Sequence, residues 1–350
     1  MAVRLPSDPA TPAKVRLAGR TACLTVAAFA AIYPLVVTNP TYTSIGVFTL
    51  IFAAAAASWN GFSGYSGYIS LGNGIFYGCG AYTMALLAND LHMAGGAAVF
   101  VLVPLAGLVG AAVAVPVGLI ALRTRRHTFV VLTIGLFFAF QLSAFNLGFT
   151  QGTSGLQLPL PNWSGNTYND PFYYVAYAIA LVAAIGFWGV RRSRLGLQLL
   201  AIRDDEDRAR GIGVQALRVK LLDFTFAGFV TGMCGALFAF FVGQIYPQFA
   251  FDPVFDVTVA LMTFFGGIGT ITGPLLGALV LEPVAQYLAL GNVGGNQGYL
   301  IVYGAVFLAI LLFMPRGIVP MLRVWAERLF DRTAERSPST VRAPEPTAEL

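Results

Sequence analysis

The chain has 350 residues, 57 % of them hydrophobic and only 11 % charged, with a formal net charge of +5. A globular domain carries about 25 % charged residues, so this composition excludes an ordinary water-soluble fold and points to lipid as the main solvent. The positive balance is not a nucleic-acid patch, because the cations flank apolar runs and lack the interleaved aromatics of a base-stacking surface.

All 21 Lys and Arg residues fall into four blocks, spanning Arg4 to Arg20, Arg123 to Arg126, Arg191 to Lys220 and Arg316 to Arg342. A helix needs about 20 mostly apolar residues to cross a bilayer. Spans are predicted near 18–38, 43–59, 68–89, 97–122, 128–148, 171–190, 218–245, 254–268, 273–290 and 298–315. The fold class is therefore all-α, a polytopic membrane protein of about 10 transmembrane helices, within a range of about 8–10. With the N-terminus in the cytoplasm, this count returns every basic block to the cytoplasmic face, as the positive-inside rule requires. Residues 254–290 admit two readings, two full crossings or a re-entrant hairpin, because removing both crossings preserves parity. The apolar run 21–37 is read as a retained first span and not as a cleaved signal.

This topology divides the chain into a cytoplasmic N-terminal segment (1–17), a transmembrane domain (18–316) and a cytoplasmic tail (317–350). The end of the tail is rich in Pro, Ala and charge and is expected to be partly disordered. Both termini lie inside. The longest predicted outer loop, 149–171, carries Gln151-Gly152-Thr153-Ser154-Gly155, and Trp163 is a candidate interface anchor.

The densest glycine segment, Gly61 to Gly80, opens the third predicted span. Such density lets a helix unwind, and an unwound helix in a membrane must face protein or a water-filled cavity. Ser66, Ser70, Asn73 and Tyr77 are the polar groups there. They are candidates for a substrate pathway, with close small-residue helix packing as the alternative. Glu282 is taken as the only acid well inside a predicted span, and an intramembrane acid is a functional candidate by default. A second glycine cluster, Gly266 to Gly277, reads as a tight hairpin, with Pro274 suited to the first turn of the next helix.

The segment 191–217 is long for a connector. Asp204 to Asp207 suit the N-terminal turn of a short helix, which Ala209, Gly211 and Gly213 would end. A short charged helix on the cytoplasmic face suits docking onto another protein. Arg203, Asp204, Asp205, Glu206, Ala209 and Gly211 are the coupling candidates.

No GxxxxGK[ST] loop, Ser-His-Asp set, HExxH or paired-carboxylate arrangement is present. Cys23, Cys79 and Cys234 lie in apolar stretches without metal-ligand spacing. The expectation is a transport subunit that is not an enzyme, with no catalytic residue, metal or cofactor of its own.

The run Gly64-Tyr65-Ser66-Gly67-Tyr68-Ile69-Ser70-Leu71-Gly72, continuing through Phe76, Tyr77, Gly78, Gly80 and Tyr82, resembles the branched-chain amino acid ABC permeases of the LivM type. So do Leu122-Arg123 through Thr133, Gln151-Gly152-Thr153-Ser154-Gly155-Leu156, Ser193-Arg194-Leu195-Gly196 with Ala201 to Glu206, Gly266 to Ala278, and Met314-Pro315-Arg316-Gly317. These stretches occur in family order over roughly residues 45–320. The resemblance implies an inner-membrane subunit of an ATP-driven importer. Such a subunit pairs with a second homologous permease, two cytoplasmic ATP-binding subunits that use the ATP, and a periplasmic substrate-binding protein. The 193–214 loop would engage an ATPase. Tyr68 stands where the family more often has Gln, and Asn73 where it often has His. Relatives also carry urea, short amides and other small carboxylated compounds. An ion-coupled secondary transporter working through Glu282 is the alternative of a different class.

Overall fold

The computed structural model describes residues 39–290 apart from 94, 162 and 164–167, together with 25, 30–37, 304, 305, 308 and 317–321. The predicted span at 18–38 is described only at 25 and 30–37, and nearly all of the span at 298–315 and of the tail lies outside the described residues.

The architecture is helical. Helix α1 (Pro40–Trp59) begins at Asn39, whose side chain accepts from the Thr41 amide, and runs into a π-helical turn, Asn60–Gly64. Helix α2 (Asn73–Asp90) follows after a non-helical stretch, then α3 (Leu102–Ala121) and α4 (Arg126–Asn146). Helix α5 (Asn169–Arg192) ends at Ser193, and the short helices α6 (Arg194–Asp204) and α7 (Glu206–Gly211) lie outside the bundle's long axis of spans. Helix α8 (Ala216–Val242) returns through the centre, and α9 (Pro253–Gly266) and α10 (Gly273–Leu290) close the described bundle. A two-residue antiparallel pair, Leu156↔Ile245 and Gln157↔Gln244, ties the 149–168 loop to the end of α8.

Among the described residues, six helical segments are long and apolar enough to cross a membrane: Pro40–Gly64, Ala97–Ala121, Arg126–Asn146, Asn169–Arg192, Ala216–Val242 and Pro247–Gly266. Helix α10 is apolar but shorter in its uninterrupted apolar part.

Helix α8 is the hub, packed on α2, α3, α1 and α5. Lipid offers no hydrophobic drive between helices, so close backbone approach must supply the association. The seam between α2, α3 and α8 is built that way. A Cβ on Gly80 would overlap the Gly232 carbonyl, and one on Gly110 would sit against the Gly228 carbonyl oxygen at 2.5 Å. Helices α9 and α10 meet similarly at Gly266–Gly273 and Gly277–Met262. By contrast α4 is mostly exposed, with Val131, Phe138 and Leu142 on its outer face.

The third predicted span differs from expectation at its start. Residues 67–72 are not helical, and α2 begins only at Asn73. Gly67 takes a positive φ of 73°, a conformation that favours glycine. Trp163, the candidate interface anchor, packs on Phe100 and Phe172.

Candidate functional site

The break between α1 and α2 gathers the polar residues of the glycine-rich segment. Ser66 donates to the Phe62 carbonyl at 2.7 Å, and its hydroxyl accepts from the Tyr68 amide at 3.2 Å. Ser70 donates to Asn73 Oδ1 at 3.0 Å, its amide donates to Ser63 Oγ at 3.2 Å, and its carbonyl accepts from Trp59 Nε1 at 2.7 Å. Thr133 of α4 accepts from the Leu71 amide at 3.3 Å. All of these serines and Asn73 are buried. Side chains thus meet the Tyr68, Ser70 and Leu71 amides and the Ser70 carbonyl of the unwound stretch, the kind of partner that a break at membrane depth demands. Gly78 and Gly80 pack closely, and the chain leaves helix between Gly67 and Gly72.

The start of α2 faces a carboxylate. Both oxygens of Asp256 accept from the Gly74 amide at 3.2 Å, and the residue is buried. A carboxylate at a helix N-terminus is favoured by the backbone dipole. Ten residues of α9 separate Asp256 from Gly266, a rise of about 15 Å, so the contact lies well inside the bundle. Tyr77, one turn along α2, packs on Phe255 at 4.2 Å and Phe238 at 5.5 Å between ring centroids. Glu282 is buried in α10 and accepts from Gln286 at 2.9 Å. Among the described residues it makes no hydrogen bond to Ser66, Ser70 or Asn73.

Glu282 is not the only acid inside a span. Asp223 in α8 and Asp256 in α9 are both buried. Their positions near predicted span boundaries made them resemble flanking residues, and only the helix packing reveals their depth.

The segment after α5 forms the second part of the site. Ser193 caps α6, accepting from the Gly196 amide, and Asp205 caps α7, accepting from the Asp207 and Arg208 amides at 3.1 Å each. Capping by Asp is the expected chemistry. The short helix occupies Glu206–Gly211, and Gly213 beyond it has φ 91°. The candidate coupling residues then divide. Arg203 and Glu206 turn inward. Arg203 Nη1 donates to the Gly64 carbonyl at 2.6 Å. Glu206 accepts from the Tyr68 hydroxyl, from Lys220 Nζ at 3.0 Å and from Arg210 at 2.5 Å. Ala209 is buried, while Asp204, Asp205 and Gly211 are on or near the surface. Ile212 is 80 % exposed and Leu197 66 %.

Several groups without a local motif complete this end. Arg126 donates to the carbonyls of Ile202 and Arg203 at 2.8 and 2.6 Å, satisfying the last turn of α6. Asn60 donates to the Thr270 carbonyl and accepts from the Gly269 amide, both at 2.7 Å. Arg191 donates to the Gly269 carbonyl at 2.5 Å. Lys220 lies 4.0 Å over the Tyr68 ring. Residues of the second and third basic blocks therefore converge on one end of the bundle.

Burial opposes the charge on Glu206, but the Tyr68 hydroxyl, Lys220 and Arg210 outweigh it and hold the carboxyl below its ordinary value. Burial lowers the pKa of Arg203, with Asp204 acting in the opposite sense. At the other end of the bundle, Asn89, Asp90, Gln151, Ser154, Gln157 and Gln244 help to line an open pocket of about 630 Å³.

A family model for the permease component of branched-chain amino acid transport systems matches residues 22–312. The chain belongs to the branched-chain amino acid ABC permease family. The high-affinity branched-chain amino acid transport system permease protein LivM of Salmonella typhimurium is 28 % identical over 306 residues, covering 80 % of this chain and 70 % of the relative. LivM of Escherichia coli is 27 % identical over 318 residues, covering 83 % and 72 %. LivH of Escherichia coli is 26 % identical over 288 residues, covering 77 % and 91 %. No solved structure matches significantly. The permease is a polytopic membrane protein, and the match spans both the broken helix and the α6–α7 segment. Among the described residues, no cluster of three or more His, Cys, Asp or Glu has the arrangement of a metal site.

Proposed function

We propose that this permease is the inner-membrane subunit of an ATP-binding-cassette importer that passes branched-chain amino acids delivered by a periplasmic binding protein. It would work beside a second homologous permease and two cytoplasmic ATP-binding subunits. The basic end, with Arg126, Arg191, Arg203 and Lys220, is the cytoplasmic end on the positive-inside rule. The polar pocket beside Gln151 and Gln244 then opens to the periplasm.

The observation that carries this reading is the double attachment of the α6–α7 segment to the helix break, through Arg203 to Gly64 and through Glu206 to Tyr68. Exposed Leu197 and Ile212 beside Asp205 and Arg208 give an ATPase an apolar foothold within a charged rim, the composition of a docking surface. Movement of α6–α7 by an ATPase would be transmitted to the unwound segment, and differential affinity of the ATPase for the two arrangements supplies the driving force. Asn73 and Tyr77 beside Asp256, with Ser66, Ser70 and Glu282 around them, mark the pathway. Urea, short amides and other small carboxylates are the alternative cargoes.

The test is reconstitution of the complete complex in liposomes with the binding protein on the outer side. ATP-dependent uptake of labelled leucine, isoleucine or valine supports the proposal. Uptake driven by a proton or sodium gradient in the permease alone, abolished by Glu282→Gln, contradicts it in favour of secondary transport.

A further inference from the structure

Beneath the glycine hairpin lies a group of polar atoms that the bundle buries and leaves unmatched. Asp223 is 1 % exposed, and neither carboxylate oxygen has a hydrogen-bond partner. The Tyr65 hydroxyl is also buried without one. Arg191 spends one terminal nitrogen on the Gly269 carbonyl at 2.5 Å, while the other is buried and unpartnered.

These groups are neighbours. Helices α5 and α8 meet at Phe187 and Phe226, whose rings lie 4.8 Å apart. One turn further along α5 stands Arg191, and about one turn back along α8 stands Asp223. Arg191 lies 5.5 Å from the centre of the Tyr65 ring, and both Arg191 and Asp223 act electrostatically on the Tyr65 hydroxyl. Arg191 and the Asp223 carboxyl thus face the same phenol, yet among the described residues no ion pair closes between the two side chains.

A buried carboxylate left without a partner is costly, and an unpaired group of this kind calls for a functional explanation. Packing offers none, since an amide or an apolar group of similar shape would fill the place of Asp223 more cheaply. Arg191 is two residues from Ser193, the cap of α6. Displacement of α6 therefore moves Arg191 directly.

We propose that Arg191 and Asp223 are positioning residues of the transport cycle: they form an ion pair, bridged by the Tyr65 hydroxyl, in the state opposite to this one. Here Arg191 is held on the Gly269 carbonyl of the hairpin. When α6 is drawn by its ATPase, Arg191 leaves Gly269 and closes on Asp223, so each state has its own fastening for the same guanidinium. This rests on the importer reading above.

The experiment compares wild type, Asp223→Asn, Arg191→Gln and the double variant in the reconstituted complex, alongside thermal unfolding of each purified permease. Asp223→Asn removes a charge that this state leaves unpaired, so its unfolding midpoint stays level or rises by a few degrees. Uptake nevertheless falls at least about tenfold, and the double variant is no worse than the poorer single variant. An Asp223→Asn uptake within twofold of wild type overturns the proposal, as does a midpoint lowered by several degrees, or losses that multiply in the double variant. Absence of ATP-driven uptake by the wild-type complex refutes the importer reading itself, and the proposed pair falls with it.

Discussion

The Arg203 guanidinium donates to the Gly64 carbonyl at 2.6 Å, joining positions 139 residues apart in the chain. Gly64 is the last residue of the π-helical turn that ends the first described span, and Arg203 is in the last turn of α6. The same α6–α7 segment reaches the unwound stretch a second time, through Glu206 and Tyr68. A short surface helix pair and a helix break inside the bundle are therefore one mechanical unit.

Glu206 is the centre of the second attachment. Glu206→Ala leaves Lys220, whose side chain is 0 % exposed, without its carboxylate and with the Leu122 carbonyl at 3.4 Å and the face of the Tyr68 ring. Breaking a buried pair from one side costs about 3–5 kcal/mol. Thermal unfolding in detergent is expected to show that loss in Glu206→Ala, and the double variant Glu206→Ala with Lys220→Met recovers most of it. A double variant as unstable as the sum of its single changes contradicts the pairing.

The depressed pKa of Glu206 sets a pH window. A carboxyl whose folded pKa lies below its unfolded value, about 4.3, contributes stability that is complete above that unfolded value. The contribution is lost as pH falls through the folded value. Hydrogen exchange in residues 203–211, corrected for its intrinsic pH dependence, is accordingly flat between about pH 5.5 and 8. Progressive loss of protection across that range means that another group controls the attachment.

The α2–α8 crossing has no room for a methyl group at Gly80, where the neighbour is backbone. Gly80→Ala forces the helices apart, at a cost of about 1–3 kcal/mol. Gly135 in α4 has nothing within 4 Å of a Cβ, so Gly135→Ala stabilises by up to about 1 kcal/mol through helix propensity. Unfolding midpoints moving in opposite directions for the two substitutions check the packing.

Asp256 satisfies the Gly74 amide at the start of α2. Asp256→Ala leaves that amide buried and unmatched, a penalty of about 1–3 kcal/mol, and loosens the break. We expect uptake by the assembled importer to fall about tenfold or more, a factor of ten corresponding to about 1.4 kcal/mol. Asp256→Asn keeps an acceptor and retains more uptake than Asp256→Ala. Equal activity in both variants and wild type removes Asp256 from the pathway.

Long apolar runs made the spans at 43–59, 97–122, 128–148, 171–190 and 218–245 legible, and each corresponds to a helix. The short helix beginning among Asp204 to Asp207 was legible too, because acids at a helix start have a local cause; that Asp205 is its cap came from the structure. The start of α2 was not legible. Residues 68–72 extend a span by composition, but glycine holds helix poorly, and the Ser70 and Leu71 backbone is met by side chains of Ser63, Trp59 and Thr133. Asp223, Asp256, Asn60 and Lys220 were equally hidden. Their roles come from partners far away in sequence, and no local pattern announces a long-range contact.

Gly67 and Arg203 offer the most direct test of the mechanical link. A Cβ on Gly67 would stand 3.6 Å from the Arg203 Cβ, inside the range that a disulfide spans. Gly67→Cys with Arg203→Cys, in a chain whose native cysteines are replaced, would fix α6 to the unwound segment when oxidised. Because Arg203→Cys removes the bond to Gly64, the account predicts weakened ATP-driven uptake in the reduced complex, recovery when oxidation restores the attachment, and loss again with dithiothreitol. Uptake by the reduced complex equal to that of the cysteine-free parent and unchanged on oxidation would contradict the claim that movement of α6–α7 drives the helix break.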